Sequence, residues 1–231
     1  VTNPEYTHYI LLVDRTASMK KIRQETEEGV RRYIREQAAL PGKATLSLCQ
    51  FDAWPDPEAM LPGHSQRMGE MITQIEQTAD FAPIGDVPEY VLDPRGNTPL
   101  YDAIGITATR EGVKLAAMPE HERPGTVIYV IVTDGENNWS REWSLPMVNE
   151  LLTQQRETYG WGITFLGANI DSAATADAMG IPAAAALDYS ATSGGTQSVW
   201  RSASAASTRS RSGGGPLSYS PGERSAAKDG E

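Results

Sequence analysis

Two carboxylates and three hydroxyls stand out in this chain because each lies beside a stretch that has to be buried. Asp14, Thr16 and Ser18 close the apolar run Tyr9-Ile10-Leu11-Leu12-Val13 as Asp-x-Thr-x-Ser, placing three side-chain oxygens on one tight turn. Such a set suits a hard divalent cation such as Mg²⁺, which favours octahedral oxygen ligands. Thr16 and Ser18 would serve equally well to cap a following helix. Asp134 ends a second apolar run, Thr126 to Thr133, and opens the turn Asp134-Gly135-Glu136-Asn137-Asn138. Thr98 lies between them in Gly96-Asn97-Thr98-Pro99-Leu100-Tyr101-Asp102. Pro99 at a first helical position makes Thr98 a helix cap, whereas the permissive Gly-Asn turn would let it offer the same hydroxyl outward.

Asp14 and Asp134 are 120 positions apart, so something must bring them together. Each follows a short aliphatic, β-branched run, the pattern of a strand buried on both faces. Parallel strands end on the same edge of a sheet, which is where open α/β sheets hold ligands. Around these strands, Met19, Ile22, Val30, Tyr33 and Ile34 recur at helical spacing among charged residues, an amphipathic helix that Pro41-Gly42 stops. A strand follows from Ala44 to Phe51, with Asp52 read as a turn residue ahead of Trp54-Pro55-Asp56-Pro57. Ser65 could cap a helix carrying Met68, Met71, Ile72 and Ile75, and Tyr90 to Leu92 reads as a short strand or an extended lead-in. Further on come a helix from Pro99 towards Leu115, the strand ending at Thr133, a helix through Met147, Leu151 and Leu152, and a strand from Gly162 to Leu166. A short helix from Ser172 to Met179, an edge strand from Ala184 to Tyr189 and a last helix from Thr196 to about Ser207 complete the pattern. This βαβ alternation predicts an α/β fold with a doubly wound, mostly parallel central sheet flanked by helices.

At 231 residues the chain suits one domain with a substantial core better than two. That domain is expected over residues 1–209, and residues 210–231, rich in Ser, Gly, Arg and Pro without an apolar period, read as a disordered tail. No apolar run approaches the roughly 18 residues that span a bilayer. The formal net charge is −10, and of the 20 basic and 30 acidic residues only five and three, respectively, fall after residue 200. An acidic body repels phosphate backbones, which argues against nucleic acid as a partner. The single Cys49 sits in a strand-like segment and can form no internal disulfide. Together with an N-terminus that has neither the basic region nor the apolar stretch of a signal peptide, this points to a cytoplasmic protein.

Asp14-x-Thr16-x-Ser18, Thr98 within Gly-Asn-Thr-Pro-Leu-Tyr-Asp-Ala, and Asp134 within Val-Thr-Asp-Gly-Glu-x-Asn together resemble the von Willebrand factor A domain and its metal-ion-dependent adhesion site. The likeness spans about residues 7–209 and is nearest to the stand-alone bacterial and phage members, including those associated with tellurite resistance. It implies a Mg²⁺ or Mn²⁺ ion at the sheet edge, with Thr16, Ser18 and Thr98 as hydroxyl ligands and Asp14 and Asp134 binding directly or through water. It further implies a non-enzymatic module whose ion engages an exposed Asp or Glu of a protein partner, with Arg15, Asn97 and Glu136 placed around that contact. Arg15 would point outward to the partner or pair with Glu136. One departure is Thr16, which stands where the family usually has Ser and adds a methyl group. Two other readings compete. A haloacid dehalogenase-like phosphotransferase would use Asp14 but lacks its second Asp and its Lys here, and a metal-free scaffold would keep only the fold.

Overall fold

The computed structural model of the chain describes residues 2–56, 71–213 and 215–230. In chain order the elements are β1 (Asn3–Asp14), α1 (Arg23–Ala38), β2 (Lys43–Pro55), β3 (Met71–Pro83), α2 (Leu100–Ala117) and β4 (Pro124–Thr133). They continue with α3 (Leu145–Glu157), β5 (Gly162–Ala168), α4 (Ser172–Ala178), β6 (Ala186–Tyr189), α5 (Ser193–Arg211) and α6 (Pro221–Asp229). Among the described residues the strands form one sheet in the order β3-β2-β1-β4-β5-β6. Every neighbouring pair is parallel except β2 with β3. This is the doubly wound, mostly parallel arrangement that the pattern predicted, and its strand order reverses direction between β1 and β4.

Alternation along β1 explains how the helices divide between the two faces, because successive strand side chains point to opposite sides. Tyr9 donates its hydroxyl to Gln37 of α1 at 2.9 Å and meets the ring of Tyr33 edge-on at 5.9 Å. Tyr33 in turn packs against Trp200 of α5, with centroids 6.1 Å apart, so α1 and α5 share this face. Gly29 of α1 makes that packing possible, since a Cβ there would lie 2.1 Å from the Trp200 ring. His8, the preceding residue, faces the other way: its Nδ1 lies 2.8 Å from the Thr45 hydroxyl and its Nε2 3.4 Å from Glu111 of α2. Burial holds the His8 pKa below its ordinary value, and the ring stacks on Phe81 at 3.8 Å.

Two expectations about the segment after β2 change. Residues 71–83 form a strand, β3, where Met71, Ile72 and Ile75 had suggested part of a helix; Ser65 and Met68 lie outside the described residues. The reason is the length of β2, which runs past Phe51 to Pro55 and presents an edge of unpaired backbone groups. β3 satisfies that edge by antiparallel pairing from Thr45↔Pro83 to Pro55↔Met71, which a helix could not do. Asp52 is consequently a buried strand residue and not part of a turn.

The region expected to be a disordered tail is also structured. Residue 209 falls within α5, and after it Leu217, Tyr219 and Ala227 are buried in the same core as the sheet. Tyr219 and Thr164 of β5 share a hydroxyl hydrogen bond of 2.7 Å, Arg209 pairs with Glu223 at 2.9 Å, and Arg224 donates to the carbonyls of Ala183, Ala184 and Ala186. α6 itself begins with a reciprocal Ser220–Glu223 capping box. A few anchors suffice here because polar side chains satisfy the backbone around them, which leaves no apolar period to read. Burial of Leu217 and Tyr219 should contribute about 4 kcal/mol. Deleting residues 216–231 is therefore expected to lower the melting temperature by roughly 10 °C, read by circular dichroism.

Candidate functional site

The strands that flank the reversal in strand order are β1 and β4, and the predicted oxygens gather where they end. Val13 lies opposite Val132, so Asp14 follows at the level of Thr133. The Thr133 hydroxyl donates to Asp14 Oδ2 at 2.6 Å, and the backbone N–H of Thr16 donates to Asp14 Oδ1 at 2.6 Å. Asp14 is fully buried. A second set of hydrogen bonds links the hydroxyls. Ser18 donates to Asp134 Oδ1 at 2.6 Å, which leaves Ser18 to accept from Thr16 at 3.1 Å, and Thr98 donates to Thr16 at 3.4 Å. The protons thus run one way, from Thr98 through Thr16 and Ser18 to the Asp134 carboxylate. Neither Thr16 nor Thr98 caps a helix through its side chain.

Electrostatics at the two acids follow from this packing. Burial, reinforced by the charge of Asp134 and opposed by the hydrogen bonds from Thr133 and Thr16, pushes the Asp14 carboxyl up to about 7. Burial also raises Asp134, against the hydrogen bond from Ser18.

The surrounding loops are held by groups other than the five predicted oxygens. Gly96 has φ +70, and a Cβ there would lie 2.2 Å from the Ala53 carbonyl, so only glycine lets this turn approach β2. Asn97 exchanges backbone hydrogen bonds with Ala53 at 2.9 and 3.3 Å, which sets the position of Thr98. Asp102 of α2, buried beside the apolar Ala103 and Ile104, accepts the backbone N–H groups of Arg141, Glu142 and Trp143 and the hydroxyl of Thr73. It therefore fixes the loop after Asp134. A carboxylate on the buried face of a helix was the available signal for it. Asn138 adds a clip, its side chain accepting from the Thr98 N–H at 2.9 Å and its own N–H donating to the Thr98 carbonyl at 3.0 Å.

Arg15 differs from both expected roles. Its side chain is buried and binds Asp52 at 2.9 Å, with a further ion pair to Glu76 of β3, instead of pointing outward or pairing with Glu136. Arg95 completes this group by donating to the other oxygen of Asp52 at 2.6 Å. Glu136 stands exposed on its turn.

The metal expectation is corrected. Among the described residues no group of three or more His, Cys, Asp and Glu side chains gathers that could hold a metal ion. The oxygens that do converge spend their hydrogen bonds on one another and on neighbouring groups of the protein. A Mg²⁺ or Mn²⁺ cofactor therefore does not fit these residues.

No protein-family model matches the chain, and no curated protein matches it by sequence. Solved structures do. Proximal thread matrix protein 1 from the mussel byssus superposes with a TM-score of 0.57 at 12% identity, over 85% of this chain and 46% of that one. The sheet order and this superposition agree. The chain has a von Willebrand factor A-like fold. A second form of the byssal protein, described as having a zinc-occupied adhesion-site motif, gives the same TM-score of 0.57. The pilus adhesin SpaC of Lactobacillus rhamnosus GG, in its open conformation, matches with a TM-score of 0.56 at 12% identity, over 89% of this chain and 30% of that one. The chain thus spans less than half the length of these neighbours. The resemblance read from the three motifs holds for the von Willebrand factor A fold and not for its metal-ion-dependent adhesion site. The cytoplasmic expectation is withdrawn as well, because these neighbours are a byssal thread protein and a pilus adhesin by name.

Two variants probe this edge of the sheet. The folded state holds the Asp14 proton more tightly than the unfolded chain, so this group's stabilising contribution is complete below the ordinary carboxylate pKa of 3.8 and is lost as pH rises through about 7. Asp14→Asn should therefore melt at a higher temperature than wild type at pH 8, with the advantage fading towards pH 4. Asp52→Ala should destabilise the protein by about 3 kcal/mol or more in urea unfolding, because it leaves the buried Arg15 guanidinium short of a partner.

Proposed function

We propose that this chain is a metal-free, non-catalytic scaffold of von Willebrand factor A-like fold that binds a protein partner through the loops at the C-terminal edge of its sheet. The observation that carries this reading is the closed run of hydrogen bonds from Thr98 through Thr16 and Ser18 to Asp134, which uses the site's oxygens within the protein. The naming of neighbours with the same fold as a matrix protein and an adhesin supports binding over turnover.

The loops at this edge offer suitable chemistry without an ion. Ser18, Lys20, Glu136 and Asn138 are exposed there. Arg141 lies over the Trp139 ring at 4.6 Å, and Arg95 over the partly exposed Trp54 at 5.0 Å. Aromatic side chains and arginine are enriched at protein interfaces, and stacking holds each pair in a preformed position. Without an ion, an exposed Asp or Glu on the partner has no electrophile to meet, and the acidic body repels it.

Affinity capture with the tagged chain tests the reading when run with Mg²⁺ and again with chelator. The same partner should be recovered in equal yield from both, and Trp139→Ala should reduce that yield several-fold. Calorimetric titration with Mg²⁺ or Mn²⁺ should give no binding heat. Recovery that disappears on chelation would overturn the metal-free assignment.

A further inference from the structure

At the opposite end of the sheet from Asp14, a cavity of about 470 Å³ opens between the last turns of α2 and α3, over the start of β4. Its volume lies within the range of small-molecule sites. Leu115, Val127, Leu151 and Trp161 line its apolar walls. Thr2, Thr109, Gln154 and Thr158 add polar groups to the lining, and Gln155, only 7% exposed, is the best buried of its polar residues. Its backbone carbonyl accepts from the Trp161 N–H at 3.0 Å, but its side-chain carboxamide has no hydrogen-bond partner among the described residues. Gly112 of α2 leaves the room that this amide fills, since a Cβ there would lie 3.2 Å from Gln155 Nε2.

A carboxamide that faces a cavity without a protein partner is the kind of group that fixes a ligand's orientation in a pocket whose walls are mainly apolar. The matching ligand head both donates and accepts, as a primary amide does. An anionic head is disfavoured, because Arg123, the one guanidinium lining the cavity among the described residues, is already engaged with the carbonyls of Ala116 and Met118 at 3.2 and 2.9 Å. We infer that this cavity is a binding site for a small neutral aromatic carboxamide, whose ring packs against Trp161 and whose amide pairs with Gln155. The site lies apart from the loops assigned above to partner binding and does not depend on that reading.

Naphthalene-2-carboxamide is a suitable probe, with 2-methylnaphthalene as its match in shape without the polar head. Both are titrated into the isotopically labelled full chain while the Gln155 side-chain resonances are followed by NMR. The amide should shift those resonances saturably and bind more tightly than the hydrocarbon. Gln155→Leu should weaken the amide by about five-fold or more and leave the hydrocarbon unchanged, the size expected for one or two hydrogen bonds. Ala116 lines the cavity at an exposed helix position, so Ala116→Trp should block both probes while leaving the melting temperature as in wild type. Absence of a saturable shift at about millimolar probe, equal affinity for the two probes, or unchanged binding to Ala116→Trp would each overturn the assignment.

Discussion

The edge of the sheet at which the oxygens converge depends on one buried carboxylate. Asp14 has no exposed surface, and its two oxygens are held by the Thr133 hydroxyl and the Thr16 N–H. Those two contacts join β4 to the turn that follows β1, so the end of one central strand positions the other. Once that turn is fixed, Thr16 and Ser18 face Thr98 and Asp134, and the hydroxyl chain follows. Burial that raises the Asp14 carboxyl to about 7 is the electrostatic cost of this arrangement.

A second polar group, on the β2 side, shows how the sheet tolerates charge in its interior. Asp52 accepts from Arg15 and Arg95, one guanidinium on each oxygen, and β3 supplies Glu76 as a further partner for Arg15. Arg15 follows Asp14 directly, and its backbone N–H donates to Phe51 at 3.0 Å, so the turn is tied to β2 as well as to β4. The antiparallel β3 is therefore more than an edge cover. It completes the ion-pair group that keeps the turn after β1 in place.

The two ends of the sheet differ in chemistry. At the C-terminal edge, hydroxyls, carboxylates and backbone groups satisfy one another, and the loops outside them carry stacked Arg–Trp pairs. At the N-terminal edge, a cavity with mainly apolar walls is faced by the Gln155 amide, which finds no hydrogen-bond partner among the described residues. A self-satisfied polar cluster stabilises a scaffold, whereas an unsatisfied group in an apolar pocket favours a ligand that completes it.

What the sequence determined by itself was whatever local periodicity encodes. The apolar runs ending at Asp14 and Asp134, the helix after the first and the alternation to Tyr189 specify a doubly wound sheet, and parallel strands must then place both acids on one edge. Tertiary structure alone decided what those acids do there. A hydroxyl can coordinate an ion, cap a helix or hydrogen-bond a neighbour, and the choice rests on directions that Thr98 and Thr16, 82 positions apart, acquire only on folding. The same holds for Asp52, whose partner Arg15 lies 37 positions away, and for Tyr219, which reaches Thr164 across 55. The helical spacing of Met71, Ile72 and Ile75 was a local signal overruled by the open edge of β2, because backbone groups left unpaired there cost more than a change of local conformation.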